Sequence, residues 1–269
     1  LIGALAITEP NTGSDMGGIK TTAIRDGDEY VVNGSKTFIS NGINSDVIVT
    51  AVRTAPELGK KGISLIVLER GMAGFERGRN LDKVGQWMAD TSELFFNDVR
   101  VPASNVIGEV NRGFIYLVSD LPQERLSISI TAQAAAQRAF DEAVAFTRDR
   151  TAFGKKVIDF QNTQFTLAEC KTEATVARVF VNHCIGVHLQ GKLDAATASM
   201  AKYWVSDLEN KIIDRCLQLF GGYGYIKEYP MERHVRDTRV HQILEGTNEI
   251  MRVIISRKML MEGALEVIK

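Results

Sequence analysis

Cysteine is scarce in this chain: three residues in 269, at Cys170, Cys184 and Cys216, widely spaced and without a CxxC pair. An odd, dispersed set excludes a disulfide framework and reads as reduced core thiols in a reducing compartment. No metal site is expected. No apolar run is long enough to span a bilayer, and no charged-then-apolar leader is present. Excess charge of one sign is missing too: Lys and Arg number 32 against 33 Asp and Glu, for a net charge of -1, with no block of like charge. Neither nucleic acid nor an anionic membrane is therefore favoured as a partner. There is no internal repeat and no low-complexity segment. An initiating methionine is also absent, and the opening LIGALAIT reads as though already inside a strand. The chain is expected to be a fragment lacking its natural amino-terminal part. A bacterial cytoplasm suits this composition, and a mitochondrial matrix enzyme stripped of its leader would read the same.

With 45% hydrophobic residues, the chain can bury a sizeable core and form two domains. Residues 1–108 read as β. Thr21–Ile24, Tyr30–Val32, Val47–Val52, Ile63–Leu68 and Leu94–Phe96 are short and rich in β-branched or aromatic residues. Asp26-Gly27-Asp28, Asn33-Gly34 and Asn41-Gly42 are expected hairpin turns, giving a small antiparallel β-barrel or sandwich. Pro102 and the stretch from Gly108 to Gly113 mark the boundary. Residues 109–269 read as helical: Glu124 to Arg150 has neither proline nor glycine, and Asn162 to Gln190 and Ala195 to Phe220 share its periodicity. A fourth helix follows Thr247. The expected class is α+β, a β domain followed by an up-down four-helix bundle.

Several strings carry chemistry. In VHQILEGTNEIMR, Glu245 stands on the hinge Gly246, with Thr247 as an N-cap before Ile250, Met251, Ile254 and Ile255 at helical spacing. A carboxylate aimed in this way is a candidate base or ligand; the alternative is a Glu that merely flanks a cap. The loop from Thr8 to Asp15 exposes N–H groups and hydroxyls suited to a phosphate or a polar ring edge, or is only a turn. Phe38 can stack on a flat cofactor with Ser40 at its polar edge, or sit in the β core. Arg150 complements a helix end or grips a pyrophosphate, with Phe153 as a stacking face and Gln161 and Gln164 as amide partners. The glycines after Gln218, at Gly221, Gly222 and Gly224, exceed what a helix stop needs and allow close ligand approach. Pro122-Gln123-Glu124-Arg125 is expected to begin the first bundle helix. A Glu suits that first turn, whereas Arg125 does not and is free to serve an external anion.

Taken together, TEPNTGSD, KTFISNG, VRVP with GEVNRGF, PQERL, RTAFGK with DFQNTQF, QLFGGYGY and EGTNEIMR resemble the acyl-CoA dehydrogenase family of flavoproteins. They occur in family order over essentially the whole chain, matching the central β domain and the carboxy-terminal helical domain. The family's amino-terminal helical domain has no counterpart in them. The resemblance implies that Ile7, Thr8, Gly13 and Ser14 line FAD, with Ser14 also near the substrate's pantetheine arm. It places Phe38 and Ser40 against the flavin ring, and Arg150, Phe153, Gln161, Gln218 and Gly222 on the FAD of a neighbouring subunit. Thr247 and Glu249 would contact FAD in the same subunit as the base, Gly246 the substrate, and Arg125 the adenine end of coenzyme A. A homo-oligomer, usually a dimer of dimers, follows, as does α,β-dehydrogenation of an acyl-CoA to its trans-2-enoyl thioester. Electrons would pass to an electron-transfer flavoprotein.

One point departs from simple carry-over. Most of the family places its base where Glu245 stands, whereas long-chain and isovaleryl-type members use the position of Glu124. This chain has glutamate at both. Two carboxylates meeting in one pocket do not both ionise readily, so one is expected to be neutral. Glu245 is assigned as base and Glu124 kept as the second candidate. Two other readings remain at this level: an acyl-CoA oxidase using oxygen, and a catalytically idle flavin-binding or oligomer-forming scaffold.

Overall fold

The computed structural model describes residues 1–262 and divides the chain into two compact units, Leu1–Ser119 and Asp120–Lys269. The first carries eight strands: β1 (Gly3–Ala6), β2 (Thr22–Asp26), β3 (Glu29–Ser40), β4 (Val47–Arg53), β5 (Ile63–Glu69), β6 (Phe75–Asn80), β7 (Thr91–Pro102) and β8 (Val106–Ile107). They form one sheet in the order β6-β7-β3-β2-β4-β5-β8, with β1 paired to β4. Most neighbours are antiparallel, as expected. β1 instead runs parallel to β4, from Gly3 opposite Val47 to Ala6 opposite Thr50. Alternation along the strands buries Val32, Ile48, Val52, Ile66, Leu68, Leu94 and Val99 in one core, the period-two pattern of a half-buried sheet.

The Gly27-Asp28 turn closes β2 onto β3 as the sequence suggests, with Gly27 left-handed. Asn33-Gly34 corrects the turn reading: it lies inside β3. Gly34 has φ 147, and a Cβ there would lie 2.5 Å from Thr21 Oγ1 and 2.8 Å from Thr21 Cα. The glycine admits a neighbouring backbone at a β-bulge and makes no turn. Asn33 meanwhile bonds across to Asp98 of β7 through both its amide nitrogen and its oxygen.

The second unit is built on α-helices: α1 (Gly113–Asp149, whose first seven residues belong to the first unit), α2 (Gln161–Leu189), α3 (Ala195–Phe220), the short α4 (Met231–Thr238) and α5 (Asn248–Glu262). A two-residue hairpin, β9 (Thr151–Ala152) with β10 (Lys155–Lys156), interrupts the chain between α1 and α2. α1 starts eleven residues before the sequence-based estimate and carries Pro122 in its interior. Proline removes one N–H from the helical ladder, so an α1 that continues through it is held by packing rather than by local propensity. Glu124 and Arg125 consequently sit in mid-helix, and neither lies in a first turn as the sequence suggested. Ala132, Ala136, Ala139 and Ala143 line one face of α1 and share a core with Leu167, Cys170, Ala174, Ile212 and Cys216. Side chains this small let helices approach closely. α3 packs on α2, α4 and α5. Asp194 caps it, accepting from Ala196 N at 2.8 Å and Thr197 N at 3.2 Å. All three cysteines are free and buried.

Candidate active site

In the helical unit the site is built on the turn before α5. Glu245 itself is left-handed (φ 54), followed by Gly246 at φ 90. The sequence suggested only the glycine hinge. A glutamate held in this region costs free energy and marks a position fixed by its surroundings. Thr247 caps the helix as expected: its Oγ1 accepts from Ile250 N at 3.3 Å, and its carbonyl accepts from Met251 N at 3.0 Å.

The structure brings Glu124 and Glu245 together, with a hydrogen bond between the two carboxyl groups. Burial pushes the Glu124 carboxyl up to about 7, helped by the bond to Glu245 and by the Glu245 and Asp120 charges, against the pull of Arg125. Arg125 is 4% exposed, and its Nε has no hydrogen-bond partner among the described residues. Burial lowers the pKa of its guanidinium, and the Glu124 and Glu245 charges oppose that shift.

Sequence reasoning missed the residue that holds this turn. Lys202 of α3 is fully buried, and its Nζ donates to Gly246 O at 2.7 Å and to Asn248 Oδ1 at 2.9 Å. Burial draws its ammonium down to about 8, opposed chiefly by the Glu245 charge. Asn248 in turn donates to Tyr203 O, Ser206 Oγ and Asp207 Oδ1, so the start of α5 is laced to α3. The signal was present: Lys202 falls among Ala198, Ala201 and Val205 on the apolar stripe of α3, where an unpaired charge is not expected.

Arg150, Gln218 and Gly222 line one cavity of about 400 Å³, together with Phe146, Tyr223 and Ile226. Arg150 stacks 5.3 Å over the Tyr223 ring. Phe153 is 96% exposed at the tip of the β9–β10 hairpin, left-handed at φ 50. Gln161, the first residue of α2, is exposed and outside that cavity. Thr247 and Glu249 line a second recess of about 160 Å³ with Asp207, Asn248 and Arg252.

In the β unit, Ile7 and Thr8 lie beside the end of β3. Lys36 Nζ donates to Ile7 O at 2.9 Å, and Thr37 N donates to Thr8 O at 2.9 Å. Glu9 is the buried anchor of the loop, accepting from Lys36 Nζ at 2.9 Å, Lys20 N at 2.6 Å and Thr21 N at 2.9 Å. Burial pushes the Glu9 carboxyl up but is outweighed by Lys36 and these donors, so it lies below the ordinary value. Gly13 and Ser14 are exposed at the loop tip. Phe38 sits on the bulge between Lys36 and Ile39, left-handed (φ 58) and 67% exposed, with Ser40 exposed two residues on. Its ring therefore points away from the β core.

These surfaces fit a flavin. Phe38 offers a bare ring for stacking, the loop from Ile7 to Ser14 offers backbone and hydroxyl groups, and the Arg150 cavity combines a cation, an amide and a glycine backbone.

The model of the acyl-CoA dehydrogenase middle domain matches residues 4–99, and that of the C-terminal domain matches residues 111–260. A long-chain specific acyl-CoA dehydrogenase, mitochondrial, from Sus scrofa is 49% identical over 96% of this chain, which spans 60% of that relative's length. The solved acyl-CoA dehydrogenase from Geobacillus kaustophilus superposes with TM-score 0.95 at 49% identity, over 96% of this chain and 69% of its own. The solved structure of PigA with FAD and proline is 28% identical, with TM-score 0.93, over 98% of this chain and 69% of its own. This chain belongs to the acyl-CoA dehydrogenase family.

Proposed function

We propose that the chain is the β and helical portion of an FAD-dependent acyl-CoA dehydrogenase that converts an acyl-CoA to its trans-2-enoyl thioester. The observation that carries this reading is the strained Glu245, set on Gly246 and hydrogen-bonded to a second carboxyl, Glu124. An α-proton beside a thioester is only weakly acidic, so its removal needs a fixed carboxylate in a partly desolvated place. Glu245 is that base. Glu124 holds the pair's proton below about pH 7, which spares the site two adjacent negative charges. Ile7, Thr8, Gly13, Ser14, Phe38 and Ser40 would hold FAD from the β unit, and Thr247 and Glu249 from the helical unit. Arg150, Phe153, Gln161, Gln218 and Gly222 would hold the FAD of a neighbouring subunit, which calls for a homo-oligomer, a dimer of dimers. When bound, FAD supplies the acceptor for the hydride that leaves the β-carbon. Ser14, Gly246 and Arg125 would position the acyl-CoA. An electron-transfer flavoprotein is the expected electron acceptor.

Glu245→Gln tests the reading. The variant retains bound FAD, while reduction of the flavin by acyl-CoA falls by about 10²–10⁴-fold. Full reduction in Glu245→Gln, with loss in Glu124→Gln, would reassign the base to Glu124.

A further inference from the structure

The two glutamates are not equivalent in their surroundings. Glu124 rides on α1 beside Arg125 and within reach of Asp120. Glu245 lies on the turn that Lys202 grips from α3. Neither of the Lys202 hydrogen bonds reaches a charged oxygen, since both end on neutral acceptors of that turn and of the α5 start. A fully buried ammonium with only neutral partners keeps its charge only where an anion lies nearby. The charged groups around it are Glu245 on the turn, Arg125 on α1, Asp207 on α3 itself and Glu249 at the start of α5. Glu245 is the leading favourable one, and Asp207 is already engaged by Arg252 at 2.9 Å. Arg125 stands in the corresponding place toward Glu124, its leading favourable charge.

We infer that Lys202 is the positioning residue for the base: it holds the Glu245 turn by its backbone and places a buried cation on the Glu245 side of the carboxyl pair. The inference rests on the proposed dehydrogenase reading for its kinetic test, and on the carboxylate pair alone for its spectroscopic one.

The variants Lys202→Met, Lys202→Gln and Lys202→Arg decide it, in the full chain loaded with FAD. Stopped-flow reduction by a straight-chain saturated acyl-CoA is followed against pH, and protonated carboxyl groups are titrated by difference infrared spectroscopy without substrate. In Lys202→Met the acid limb of the reduction rate moves up by about one pH unit, roughly tenfold slower on that limb. The infrared carboxyl signal persists to correspondingly higher pH, FAD stoichiometry is unchanged, and Lys202→Arg restores both readouts. Lys202→Gln keeps an amide donor without the charge and behaves as Lys202→Met; it serves in its place should that variant not fold. A rate lowered by one factor at every pH, with the infrared titration unmoved, would overturn the inference and leave Lys202 a mechanical anchor. A wild-type flavin that no acyl-CoA reduces, beside an infrared titration that still depends on Lys202, would sink the dehydrogenase reading and keep this one.

Discussion

Among the described residues, each unit buries one lysine completely enough to draw its ammonium down to about 8, and the two are used in opposite ways. Lys36 in the β unit meets a carboxylate directly: Glu9 Oε1 lies 2.9 Å from its Nζ, and both oxygens of Glu9 also take backbone donors. That pair is neutral within itself and fixes the loop from Ile7 to Glu9 against β3. Lys202 in the helical unit holds its turn through neutral oxygens and leaves its charge to act on a carboxylate it does not bond. A closed ion pair sets shape, whereas an ammonium with its charge left over tunes chemistry. The same side chain at the same depth does either, according to what stands at its tip.

The largest effect expected from this contrast is in the β unit. Glu9→Gln leaves Lys36 buried without its anion and costs about 3–5 kcal/mol, read from urea unfolding. Lys202→Met removes a buried charge together with two hydrogen bonds to neutral acceptors and costs about 1–3 kcal/mol. Equal losses in the two variants would break the comparison, because they would mean that Glu9 is no more a partner to Lys36 than Gly246 is to Lys202.

A smaller, pH-dependent effect sharpens it. Lys202 has a folded value of about 8, below its ordinary 10.5, so the folded state binds that proton more weakly than the unfolded chain. Its contribution to stability is present above 10.5 and lost as pH falls through 8. Glu124 is the reverse: raised from 4.5 to about 7, its contribution is present below 4.5 and lost as pH rises through 7. Melting temperatures of wild type and Glu124→Gln should therefore diverge between pH 4.5 and 7, with the variant gaining relative to wild type. Between pH 8 and 10.5 the wild type should gain on Lys202→Met. Flat differences across both windows would remove the electrostatic account of the site.

The same contrast governs what could be read without coordinates. Elements with a clean period were legible: Ala195 to Phe220 coincides with α3, and Val47 to Val52 and Ile63 to Leu68 fall within β4 and β5. Local punctuation misled where tertiary packing overrode it. Pro122 suggested a helix start that lies instead at Gly113, and Asn33-Gly34 suggested a turn where a glycine admits the Thr21 backbone. β6, α4 and the β9–β10 hairpin were too short or too polar to carry a period. Of the site, the motif residues were legible one by one, because turns and caps leave local signatures. Lys36 and Lys202 were not, because their partners stand 27 and 44 residues away and only the fold brings them together.

Backbone strain gives the smallest effect and the finest test. Phe38 in the β unit and Glu245 in the helical unit are both left-handed, at φ 58 and 54, a conformation that costs about 1–2 kcal/mol for a residue with a Cβ. Glycine removes that cost, but loses about 0.5–1 kcal/mol to its greater freedom in the unfolded chain. Phe38→Gly also gives up little burial, since the ring is 67% exposed, so it should stabilise by a few tenths of a kcal/mol. Glu245→Gly depends on what Lys202 does. Near neutral pH the substitution strips the buried ammonium of its leading anion, and the gain should vanish or reverse. At about pH 9 Lys202 is mostly neutral and Glu124 is ionised, so the gain should reappear and, with the Glu124–Glu245 repulsion also relieved, exceed that of Phe38→Gly. A Glu245→Gly variant equally stable relative to wild type at both pH values would show that strain alone separates the two positions, and that the charge behind the turn is not felt there.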